Sequence, residues 1–86
     1  MQPASTRTVF DVITDFLAAN PEPQTILDYR LPPELEARAL ELLARKRADR
    51  LTFDEELELQ DFIRADDMMT LLKVKTRLNL TLNPSP

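Results

Sequence analysis

TFDEELELQDFIRADDMMTLLKVKTRLNLTL, Thr52 to Leu82, runs for some thirty residues without a helix breaker. It opens on Thr52 with Glu55 three positions later, a pairing that satisfies two orphan amide donors of a helix start as a capping box. No breaker follows until Asn83-Pro84, so the spacing predicts one helix of about 45 Å at 1.5 Å per residue. Its apolar residues change face on the way. In the first half Leu59, Phe62 and Ile63 cluster on one side. In the second half Met68, Leu71, Leu72, Leu78 and Leu82 cluster nearly opposite, with Asp66-Asp67 at the changeover. Either the helix kinks there or each half packs on a different surface. One flank is then left for a second chain.

Upstream, Pro33 to about Asp49 is built of strong helix formers. Leu35, Ala39, Leu42 and Leu43 form its stripe, with Leu40 beside it. Glu34 and Glu36 in the first turn and Arg45, Lys46 and Arg47 in the last complement the helix dipole. Glu34 with Arg38 and Glu41 with Arg45 stand four apart, acid first, the favourable orientation. The short joint at Ala48 to Thr52 predicts a helical hairpin with the long segment.

Further upstream, Val9, Val12, Ile13, Phe16 and Leu17 recur at threes and fours, predicting a helix from about Val9 to Ala19. Thr8 serves as its cap and Asp11 favours its dipole. Asn20-Pro21-Glu22-Pro23 ends it as a stiff connector. Gln24 to Leu31 reads both as a short helix and, through Leu27, Tyr29 and Leu31, as a strand. A lone strand has no pairing partner here, which favours one or two helical turns. The expected architecture is all-α: a short N-terminal helix, a Pro-bounded connector, then a hairpin with a long C-terminal helix that bends or packs on two sides. A single helical domain is expected over residues 8–82, with polar, frayed tails at 1–7 and 83–86.

Composition narrows the function. The 86 residues include no Gly, no Cys and no His. Thiol nucleophiles, disulfides, imidazole bases and most transition-metal sites are thereby excluded, as are glycine-rich phosphate loops. The expectation is a protein without catalysis, cofactor or metal whose task is contact with another macromolecule. A net charge of -4 gives no global pull toward nucleic acid or anionic lipid. No apolar run reaches the roughly 20 residues that span a bilayer, and the opening residues lack an apolar leader core, so the expected address is the cytoplasm.

Candidate contacts follow from residue type. Tyr29 and Arg30, of types enriched at interface hot spots, sit between proline-bounded segments and, with Phe62 and Met69, are expected to meet a partner protein. Met68, Leu71, Leu72 and Leu78 are the expected seam of a homodimer. Arg45, Lys46, Arg47 and Arg50, joined by Lys73, Lys75 and Arg77, are the residues any nucleic acid would touch, although no interleaved aromatics support such binding. The acidic block Asp54, Glu55, Glu56, Glu58, Asp61, Asp66 and Asp67 reads first as a solvated, dipole-matched face. It also reads as a mimic of phosphate facing a basic cleft, or, through Asp54, Glu58 and Asp61, as oxygen ligands with no loop to converge them.

Four stretches together carry a resemblance. They are Ile26-Leu27-Asp28-Tyr29-Arg30, Leu43-Ala44-Arg45-Lys46-Arg47, Leu51-Thr52 with Glu55-Glu56-Leu57-Glu58-Leu59, and Leu71-Leu72-Lys73-Val74-Lys75-Thr76-Arg77. Over about residues 24–80 the chain resembles small bacterial helical proteins encoded beside HNH-type nucleases. Members often carry a glycine just before the Leu-Thr cap, where this chain has Ala48-Asp49-Arg50. The resemblance implies a non-catalytic, antitoxin-like role: binding a nuclease partner.

Overall fold

The computed structural model describes residues 8–82, and within them the chain is all-α. Four helices follow in order: α1 Val9–Ala18, α2 Pro23–Leu27, α3 Pro33–Arg47 and α4 Phe53–Leu82. The expected tails at 1–7 and 83–86 lie outside the described residues.

Both capping boxes form. The Asp11 amide donates to Thr8 Oγ1 at 3.0 Å and the Thr8 amide to the Asp11 carboxylate at 3.3 Å. The Glu55 amide donates to Thr52 Oγ1 at 3.1 Å and the Thr52 amide to Glu55 Oε1 at 3.0 Å. Pro23 and Pro33 open α2 and α3, where a missing amide costs nothing. The ends of α1 and α3 are closed without glycine by Asn20 at φ 54° and Asp49 at φ 57°. At α3 the closure is a full Schellman motif: the Arg50 amide reaches the Arg45 carbonyl at 2.8 Å and the Asp49 amide the Lys46 carbonyl at 3.0 Å. At α1 only the Asn20 amide can bond back, to Leu17, because Pro21 has no donor.

α4 is the spine, and α1, α2 and α3 all pack against it. The hairpin ion pairs run in the antiparallel sense: Arg45 with Glu55 near the joint, then Arg38 with Glu58 at 2.8 Å farther out. The core is a single cluster in which Leu42, Leu59 and Ile13 are sealed from solvent, joined by Val9, Phe62, Ala65 and Met69.

α4 runs unbroken through Asp66-Asp67. Its buried face does not switch there. Leu59, Phe62, Ala65, Met69 and Thr76 are buried along the length, at steps of three, three, four and seven residues that keep them on one face. Ile63, grouped with Leu59 and Phe62 by the sequence, turns outward instead. Small Ala65, between Arg64 and Asp66, keeps the inner face continuous at the changeover. The molecule measures 52 × 30 × 18 Å, and its radius of gyration is 15.6 Å. A compact chain of this length would have about 12 Å. The thin dimension leaves room for two helix layers, each about 10 Å across, and among the described residues nothing covers the far side of α4.

Candidate partner-binding site

The four residues picked from sequence as partner contacts converge on one place. Tyr29, Arg30, Phe62 and Met69 line a cavity of about 190 Å³ between α1, the connector after α2, and α4. Their roles differ from the expectation. Phe62 and Met69 are only 8% and 7% exposed and belong to the core cluster. They form the floor with Val9, Ile13 and Ala65 and are not outward contacts. The periodicity of α4 explains the correction, since both point along its inner face with Leu59 and Ala65.

The wall is made by the connector. The Tyr29 ring stacks on Phe16 of α1 with centroids 4.3 Å apart and planes tilted by 34°. Lys73 of α4 donates to the Tyr29 carbonyl at 2.8 Å, tying the connector down across 44 residues of sequence. The Tyr29 hydroxyl is buried without a hydrogen-bond partner among the described residues, and burial pushes its pKa above the ordinary phenol range. Arg30 is exposed. With Glu36, Asp66 and Lys73 it gives the cavity a rim of mixed charge over an apolar floor. Lys73 was read from sequence as a nucleic-acid contact; its place in this wall was not foreseen.

The expected dimer seam is bare except for one residue. Leu71 and Leu78 are 55% and 52% exposed, and Met68 is also exposed. Leu72 instead packs against the core, so it leaves the seam. Val74 and Leu82, both exposed, continue the strip.

The basic residues do not gather. Arg45 pairs with Glu41 at 2.9 Å and with Glu55, and Lys46 reaches Glu56 at 3.3 Å. Arg47, Arg50, Lys75 and Arg77 are exposed, but Lys75 and Arg77 lie about 160° apart around α4. The acidic block is correspondingly half consumed, because Glu55, Glu56 and Glu58 serve α3. Arg38 bridges Glu58 and Glu41, each at 2.8 Å. The hydrogen bonds that Arg38 donates to Glu58 are the first cause raising the Arg38 pKa. The hydrogen bond from Arg38, with Arg45 nearby, holds the Glu41 carboxyl below its ordinary range. The Thr52 amide does the same for Glu55. Among the described residues no group of three or more acids could hold a metal ion, and no helix is long and apolar enough to cross a membrane.

No family model, curated protein or solved structure matches the chain.

Proposed function

We propose that this protein is a non-catalytic interaction module of the cytoplasm, an antitoxin-like adaptor that binds or neutralises a nuclease partner, of HNH type by the resemblance. The cavity under Tyr29 and Arg30 carries the reading. Its floor is apolar, its rim charged, and its 190 Å³ suits one large side chain, given that an apolar void of about 150 Å³ holds a benzene ring. An anchor side chain in a dry pocket ringed by polar groups is the usual energetic centre of a protein interface. The resemblance over residues 24–80 supplies the class of partner. Nucleic acid fits less well, because Arg45, Lys46 and Lys73 are already engaged within the chain.

The test is to identify the genes beside this one and, for an HNH-type nuclease among them, to titrate it calorimetrically and measure its growth toxicity in the presence and absence of this protein. Binding and loss of toxicity are expected. Arg30→Glu at the exposed rim should weaken binding at least about tenfold while leaving the fold intact. A nuclease that neither binds nor is silenced removes the proposal.

A further inference from the structure

The far side of α4 carries a seam of its own. Met68, Leu71, Lys75, Leu78 and Leu82 follow one another at three, four, three and four residues, the a/d spacing of a two-helix coiled coil. The four apolar members are exposed, so no element of the described chain covers this face. Arg64, Asp67 and Lys75 border or interrupt it and make no ion pair among the described residues. The last turn of α4 holds no basic residue to offset its dipole.

These features choose both occupant and direction. In a parallel pair, Lys75 faces the partner's Lys75 inside the seam, a like-charge contact. In an antiparallel pair, a positions face d positions. Met68 then lies opposite the partner's Leu78, Lys75 opposite the partner's Leu71, and Arg64 opposite the partner's Leu82. The Lys75 stem packs on that leucine while its ammonium reaches the partner's Asp67 one turn away. Arg64 reaches the carbonyl end of the partner's α4, supplying the positive charge that end lacks.

We infer that a second copy of this chain covers the outer face of α4 in antiparallel orientation, with Met68, Leu71, Leu78 and Leu82 as the seam and Lys75 to Asp67 as its register pair. The inference is independent of the cavity and of any nuclease.

Sedimentation of the full chain at ~100 µM should give twice the 9.9 kDa chain mass. Leu78→Asp should return it to one chain mass with helical circular dichroism unchanged, while Ile63→Asp, off the seam, should not. Asp67→Lys should weaken the dimer several-fold, and adding Lys75→Asp should restore it. This pair serves if Leu78→Asp unfolds the chain. Because the chain has no cysteine, direction is read by oxidation: a mixture of Met68→Cys and Leu78→Cys should cross-link, and Leu78→Cys alone should not. A monomeric wild type, a Leu78→Cys self cross-link, or a face that binds only some other protein overturns the inference.

Discussion

Asp49 closes α3 in a left-handed turn. At φ 57° it takes the left-handed conformation that completes the Schellman closure of α3. For an L-residue that conformation costs about 1–2 kcal/mol, less for Asp or Asn, whose side chains tolerate it. Asn20 at φ 54° does the same for α1. A chain with no glycine thus assigns both turns to the two residue types that strain least. Asp49→Gly should raise stability by about 0.5 kcal/mol, the relief at the turn being partly offset by the greater freedom of unfolded glycine. A urea unfolding curve measures it, and a lowered midpoint would show that the Asp49 side chain does more than tolerate the turn.

Among the elements, α3 and α4 are joined by charge as well as by Leu42 and Leu59. Glu41 and Glu55 both sit below the ordinary value of 4.5 when folded, Glu41 chiefly through the Arg38 hydrogen bond and Glu55 chiefly through the Thr52 amide. A depressed carboxyl contributes stability that is full above its unfolded pKa and is lost as pH falls through the folded one. Urea midpoints should therefore fall as the pH drops from about 5 to 3, with a shallower fall in Glu41→Gln. A slope unchanged by that substitution would place the acid sensitivity elsewhere.

Most of this level was legible in the sequence. The capping residues, Pro33 at the start of α3 and the apolar spacing predict α1, α3 and α4 to within about two residues, because each signal is local, whereas α2 falls in the stretch Gln24 to Leu31 that reads as helix or strand. The inner face of α4 was not legible. Ala65 and Thr76 contribute little hydrophobicity to a pattern, yet both are buried. The stronger leucines at 71, 78 and 82 draw the eye to the bare side. The cavity itself was not legible: four of its lining residues, Tyr29, Arg30, Phe62 and Met69, stand out by type and position, but their meeting in one place, with Phe62 and Met69 as floor, depends on where α1 settles.

At the level of the molecule, three short helices lie on one flank of a long one, giving the 52 Å length and 18 Å thinness. One side of α4 floors the cavity and the other presents the proposed seam, and between them runs an unbroken rod only one helix thick. If both proposed associations order α4, they are coupled, and by linkage that coupling is reciprocal. Nuclease titrations below and above the dimer midpoint should give different affinities, tighter where this chain is paired. Equal affinities would mean the shared rod is already as still as it can become.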